Sequence, residues 1–373
     1  MLISSAITQG LIYVIRPMIT YQALKLDASA STIGLIAAIY ALLPVLMALS
    51  FGRWVGVIGE GRFLILGTLS MSLASTTLIF SHSIPVLAIG AALSGVSHLA
   101  CMVGGQTMVS LKSEPEHYDR NFGYYTFSAS LGQMLGPILG TLVAGSTGVL
   151  PRSTTAAFVG ALVLSFLALV PVMGWRNSGP TVPAKKKSEG TLRSAGKLLS
   201  NRKVFGAIYM SLAISSVADI LIVFLPLYGS EKDFSSYSIG AVIAIRAGAS
   251  MLSRLFLGKI SSRFTTKQIL IVSNSISVVT CFLMGFAPSA FSLGLIVLIA
   301  GLSLGVGQPL TMSLVSHATV PEERALAVST RLTGNRLGQF IIPAGAGALA
   351  STSGTSAVFV GLSVLVASTF FTA

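Results

Sequence analysis

Runs of roughly 17 to 25 mostly apolar residues, the length a helix needs to cross a bilayer, recur along almost the whole of this chain. They fall at residues 2–24, 30–51, 63–81, 84–111, 121–146, 154–174, 204–229, 236–257, 268–287, 291–316, 325–350 and 355–373, with polar or Gly/Pro breaks between them. Twelve such runs predict an all-α membrane protein. Charged residues make up 9 % of the 373 positions, against roughly 25 % in a soluble domain. The apolar fraction is 53 % and the mean hydropathy is +0.83. So few charges cannot clothe a water-facing exterior of this size, so the outer surface faces lipid.

The net charge of +13 would suggest nucleic acid if the basic residues formed a patch interleaved with aromatics. They sit instead in short stretches between apolar runs. Seventeen of the 24 Lys and Arg residues fall in even-numbered connections, counting Arg254 at the end of its run, against Lys25, Arg152 and Lys232 in odd-numbered ones. By the positive-inside rule the even connections and both termini are cytoplasmic. Arg16 lies inside the first apolar run rather than ahead of it, an order unlike that of a cleaved signal peptide. Cys101 and Cys281 lie within apolar runs with no CxxC or CxxH neighbour, so they are read as core residues and not as metal ligands.

The longest connection, residues 175–203, carries much of the cytoplasmic charge and divides the chain into halves at 1–174 and 204–373. Within it Leu192, Ala195, Leu198 and Leu199 share a helical face opposite Arg193, Lys197 and Arg202, a pattern suited to a helix on the membrane surface as well as to a solvated linker. The halves match at a constant offset of 206 residues: Gly34 with Gly240, Gly52 with Gly258, Pro115 with Pro321, Glu116 with Glu322, Gly132-Gln133 with Gly338-Gln339, and Pro137 with Pro343. A duplicated unit with an even number of helices inserts twice in the same sense, giving a parallel repeat about the membrane normal.

Six plus six helices, a basic central connection and both ends inside resemble the major facilitator superfamily over essentially the whole chain. The stretch "GRWVGVIGEGR" is similar to the family's loop signature through Gly52, Gly59 and Arg62, with Gly56 where the family has aspartate. Its second-half counterpart, "GKISSRFTTK", matches at Gly258, Arg263 and Lys267, with Ser262 at the aspartate position. Small residues there let helix ends approach, and the cations can hold carboxylates or helix C-termini in one gating state. In the fifth run Gly123, Gly132, Gly136-Pro137 and Gly140-Thr141 resemble the G-X8-G-X3-GP-X2-GG pattern of the superfamily's antiporters, departing only at Thr141. Gly132, Gly136 and Gly140 share one helix face, and Pro137 removes a backbone hydrogen bond, so a tight, bent seam between the halves is expected. The fourth run lacks the arginine that the family's drug antiporters often carry. Ala91 stands near that position, and His98 is the run's one side chain that ordinarily titrates near neutral pH.

Ionisable groups near a bilayer centre cost ~2.5 to 3.5 kcal/mol each and tend to face a cavity. Arg16, Asp219, Arg246, Arg331 and Arg336 stand out, and Asp219 is the one acidic residue of eleven placed within a run. That isolation makes Asp219 the proton-coupling candidate. At the 206-residue offset Asp219 stands opposite Tyr13, one turn from Arg16, so a gating pair of Arg16 and Asp219 is expected. Arg331 and Arg336 are five residues apart, roughly 140° around a helix, so one faces the cavity and the other the helix end. The resemblance places the second, fifth, eighth and eleventh helices at the interface of the halves. Tyr40, Tyr124, Tyr125, Gln133, Arg246, Arg331, Asn335 and Gln339 are then candidate cavity lining. The excess of cations favours an anionic solute, while Gln308 and the other buried amides suit neutral ones equally.

The chain carries no Walker loop, and His82, His98, His117 and His317 are scattered, with no HExxH, paired carboxylates or nucleophile elbow. ATP-driven transport and an intramembrane enzyme are therefore disfavoured, and no cofactor is expected. Two readings remain: a monomeric, proton-coupled secondary transporter of a small organic solute, of the efflux type in the bacterial cytoplasmic membrane, and a non-transporting sensor or assembly factor on the same fold.

Overall fold

The computed structural model describes residues 2–114, 117–174, 196, 198–319 and 324–371. Among these are twelve helices: α1 (Leu2–Lys25), α2 (Ala30–Ile58), α3 (Glu60–Ile79), α4 (Ile84–Lys112), α5 (Tyr118–Ala144), α6 (Thr154–Met173), α7 (Arg202–Glu231), α8 (Ser236–Ser261), α9 (Thr266–Met284), α10 (Ala290–His317), α11 (Arg324–Ser353) and α12 (Thr355–Ser368). In hydrocarbon no water satisfies backbone polar groups, so a segment closes its hydrogen bonds within itself. Ten of the helices are long and apolar enough to cross a membrane. The exceptions are α11, which carries Arg331, Asn335 and Arg336, and α12, with 14 residues before a 3-10 turn.

Three local features differ from the sequence expectation. The "GRWVGVIG" stretch is not a loop: α2 continues through it to Ile58, and the chain turns only at Gly59, whose φ of +93° favours a residue without Cβ. Because α3 starts three residues early, Glu60 is a fully buried acidic residue, 3.7 Å from the Lys112 ammonium, and Asp219 is not alone among the acids in apolar helices. Gly258 is no close-approach point either, since a side chain there would meet nothing within 4 Å. Most of the expected linker, residues 175–195 and 197, lies outside the described residues, as do the repeat matches at 115, 116, 321 and 322.

The helices pack in two sets with one plan. In the first, α1 lies on α5, α6 and α4, α4 on α2 and α3, and α3 on α6; in the second, α7 lies on α11, α12 and α10, α10 on α8 and α9, and α9 on α12. The sets meet where α2 crosses α11, α5 crosses α8 and α1 runs beside α7.

Two of these meetings are the same contact made twice. A Cβ on Gly34 would lie 2.5 Å from the Pro343 carbonyl oxygen and 2.7 Å from the Gly347 Cα. One on Gly240 would lie 3.1 Å from the Pro137 carbonyl oxygen and 2.7 Å from the Thr141 side chain. Shifting Gly34, Pro137 and Thr141 by 206 gives Gly240, Pro343 and Gly347. Both contacts lie at the face remote from the termini, where α2 and α8 begin and α5 and α11 end. Ser236 also donates its backbone N–H to the Gly148 carbonyl there (3.0 Å), and the Thr20 hydroxyl donates to the Val223 carbonyl (3.1 Å). The halves are clamped at this far face.

The glycine stripe of α5 plays a different part from the one expected. Gly132 packs against Ala6 and Gly10, Gly136 against Gly10 and Tyr13, and Gly140 against Val14, all on α1 of the same half. The seam between halves uses the other shoulder of α5, through Pro137 and Thr141. Gly123 points away from both. Replacing Gly34 with Val should cost about 1–3 kcal/mol, because its neighbours are backbone atoms that cannot give, whereas Gly123→Ala should be neutral. Thermal unfolding of the purified variants in detergent checks the contrast.

Candidate functional site

Between the halves lies a cavity of about 300 Å³, walled by α1, α2, α4 and α5 on one side and α7, α8, α10 and α11 on the other. Its lining residues nearest the terminal face, Arg254 and Leu332, are exposed, while the far-face clamp closes the other end. The cavity therefore opens toward the face that carries the termini.

At its closed end Arg16 of α1 and Asp219 of α7 form a two-pronged ion pair, Nη1 to Oδ1 at 2.5 Å and Nη2 to Oδ2 at 2.8 Å, with both side chains buried. The guanidinium also sits 4.6 Å above the centre of the Tyr40 ring, a cation–π contact that shields its other face. A hydrogen-bonded chain leads away from this point through the first half. Gln133 Nε2 donates to Gln9 Oε1 (3.2 Å), Gln9 Nε2 contacts His98 Nε2 (3.1 Å), and His98 Nδ1 contacts the Tyr40 hydroxyl (2.7 Å). An amide nitrogen can only donate, so in the neutral ring Nε2 accepts and Nδ1 carries the hydrogen given to Tyr40. The Tyr40 hydrogen is then left available to a ligand.

The second half presents arginines instead. Arg246 is 4 % exposed and reaches the Tyr13 hydroxyl at 3.5 Å. Arg336 donates to Gln339 Oε1 (3.0 Å) and extends across the cavity to the Met102 sulfur (3.6 Å), while Gln339 donates to Ser215 (3.3 Å). Arg254 donates to the Gly305 carbonyl at 3.1 Å. Gln308 and Asn335 also line this wall.

Of the residues read from the sequence, the cavity thus brings together Arg16, Tyr40, His98, Gln133 and Asp219 with Arg246, Gln308, Asn335 and Gln339. It leaves out three. Arg331 sits behind the wall, where Nη1 donates to Ser211 (2.7 Å) and Gln308 (3.0 Å), and Arg336 is the member of that pair that faces the cavity. Tyr125 lines a separate small pocket with Ser5, Met102 and Gly105, and Tyr124 is 54 % exposed. The surroundings of Tyr125 and Arg331 are duplicates, since 206 residues separate Ser5 from Ser211, Met102 from Gln308 and Gly105 from Thr311. Among the signature cations, Arg62, Arg263 and Lys267 are exposed and do not line the cavity. Among the described residues no group of His, Cys, Asp or Glu is placed to hold a metal.

The sequence model described as Major Facilitator Superfamily matches residues 1–319 and 235–373. The chain belongs to the major facilitator superfamily. It is a multi-pass membrane protein of a transporter family. The quinolone resistance protein NorA of Staphylococcus aureus is 24 % identical over 341 residues, covering 89 % of this chain and 84 % of that protein. The class H tetracycline resistance protein of Pasteurella multocida is 22 % identical over 338 residues, covering 88 % and 83 %. Among solved structures, a POT family transporter bound to a thioalcohol-conjugated peptide superposes with a TM-score of 0.80 at 14 % identity, covering 99 % and 94 % of the two chains. A mutant of the nucleoside transporter NupG gives 0.79 at 14 % identity, covering 99 % and 98 %.

Within the superfamily fold, sequence reasoning missed Gln9, Tyr13 and Arg254 as lining. Gln9 was findable, because Gln133–Gln9 and Gln339–Ser215 are the same pair at the 206-residue offset. Arg254, at the end of its apolar run, reads as a cytoplasmic charge, but α8 continues to Ser261 and Arg254 lies on the cavity wall. Removing one partner of a buried pair strands the other's charge, at about 3–5 kcal/mol. Asp219→Ala should therefore lower thermal stability well below that of the double variant Arg16→Met/Asp219→Leu, measured as unfolding midpoints in one detergent.

Proposed function

We propose that this chain is a secondary active transporter that moves a small organic solute by alternating access, driven by protons and exporting from the cytoplasm. The observation that carries the reading is the buried Arg16–Asp219 pair, which joins α1 to α7 at the closed end of a polar cavity. A proton taken up on an Asp219 oxygen removes the carboxylate charge. The attraction between α1 and α7 then falls to that of a neutral hydrogen bond, and the far-face clamp loses its ionic component. Release of the proton restores the pair and the closure. Coupling requires only that Asp219 hold the proton in one arrangement of the halves and lose it in the other. Resistance to quinolones and to tetracycline, the roles named for the two relatives, is what export of a drug would confer, and it supports export here. The seventeen-to-three distribution of basic residues supports cytoplasmic termini in the cytoplasmic membrane, so the cavity as seen opens inward. A duplicated bundle of this kind functions as a monomer, with residues 1–174 and 204–373 as the moving bodies.

The reading is tested in proteoliposomes that enclose a pH indicator. A solute gradient should drive a proton flux, read as an internal pH change that a protonophore dissipates. Asp219→Asn should abolish that flux while leaving solute exchange at equilibrium measurable. Solute movement with an unchanged proton flux in Asp219→Asn would remove Asp219 from the mechanism, and an absence of solute movement from the native protein would remove transport.

A further inference from the structure

We infer that the cavity is built for an organic dianion, a small molecule with two negative charges at one end and a neutral hydrogen-bonding part at the other. This rests on the transport reading for its purpose but not for its measurement, which is made at equilibrium. The charge of Arg16 is already matched by Asp219. Three further guanidiniums line the same cavity, those of Arg246, Arg254 and Arg336. Among the described residues none of the three has a carboxylate in salt-bridge range. Their partners are the Tyr13 hydroxyl, the Gly305 carbonyl, the Ser130 hydroxyl, the Gln339 amide and the Met102 sulfur, all neutral.

The deepest, Arg246, is 4 % exposed, and its Nε makes no hydrogen bond at all. A guanidinium carries five donors in a planar fork suited to carboxylate or phosphate oxygens. One left buried with donors unspent is costly until an anion supplies the acceptors. A single negative charge would leave two of the three cations unmatched, and a doubly charged group answers the set better.

The placement also gives a direction. Arg254 and Arg246 are eight residues apart on α8, about 12 Å along its axis. Exposure falls from Arg254 at the open end, through half-buried Arg336, to buried Arg246. An anion entering from the open face meets positive charge in progressively drier surroundings, and the attraction strengthens as the effective dielectric falls. The opposite wall supplies Gln9, Gln133, His98 and Tyr40, which are uncharged donors and acceptors for the remainder of the molecule. The cavity's 300 Å³ sets the size at one ring or a short chain beyond the charged group.

The test uses four probes on one scaffold, phenyl phosphate, benzoate, benzyl alcohol and benzylammonium, each titrated against the purified native protein at pH 7.5 with thermal stabilisation as readout. Phenyl phosphate should stabilise most, benzoate less, and the neutral and cationic probes least, and the phenyl phosphate affinity should fall as salt is raised. Arg246→Gln and Arg336→Gln should each weaken phenyl phosphate by tenfold or more without changing the response to benzyl alcohol. Arg254→Gln should weaken it only several-fold. Stabilisation that is absent across the series, that is as large for benzylammonium as for phenyl phosphate, or that survives Arg246→Gln and Arg336→Gln overturns the inference. If phenyl phosphate binds as described but drives no proton flux in proteoliposomes, the inference about the cavity stands and the transport reading fails. Proton-coupled movement of benzylammonium gives the reverse outcome.

Discussion

The rest of the architecture hangs on two places where backbone meets backbone across the middle of the molecule. In lipid there is no hydrophobic force to press one apolar helix against another, so association depends on van der Waals contact and polar bonds. Contact of that kind is greatest where a missing Cβ lets main chains approach. Gly34 against Pro343 and Gly347, and Gly240 against Pro137 and Thr141, provide it on either side of the central axis. With the halves held at that face, the polar residues of α1 and α7 are brought opposite each other, and the space toward the terminal face becomes the cavity.

The duplication explains the cavity's symmetry, and its departures from duplication explain the chemistry. Gln133 on Gln9 and Gln339 on Ser215 are one contact drawn twice. At other equivalent places the halves have diverged: Tyr40 matches Arg246, Tyr13 matches Asp219, and Tyr125 matches Arg331. Each swap exchanges an aromatic alcohol in the first half for an ionic group in the second. The outcome is one wall of neutral donors and acceptors facing one wall of guanidiniums, with a single carboxylate among them tied to the arginine of the opposite half.

Much of this was legible in the sequence because membrane insertion leaves strong traces. Run length gave the helices, and the rarity of buried charge drew attention to Arg16, Asp219 and Arg246, which cluster in space. What could not be read was rotation about each helix axis. Gly132, Gly136 and Gly140 announce a close contact but do not say with which neighbour, and the partner is α1 rather than the opposite half. The choice between Arg331 and Arg336 as the cavity residue is the same problem. Polar stretches mislead in another way, since "GRWVGVIG" looks like a loop yet belongs to α2, which continues to Ile58.

The twin seams are not identical, and that has a mechanical consequence. At α2–α11 the residue facing Gly34 is Gly347, so at that point backbone meets backbone with no side chain between. At α5–α8 the equivalent residue is Thr141, whose branched side chain is wedged against Gly240. A joint without side chains can slide and turn while keeping contact, whereas a wedged one must separate before it moves. Under the alternating-access reading, such a pair of joints would set the pivot of rocking nearer α2 and α11 and let the far face part along α5 and α8, like a door hung on one jamb.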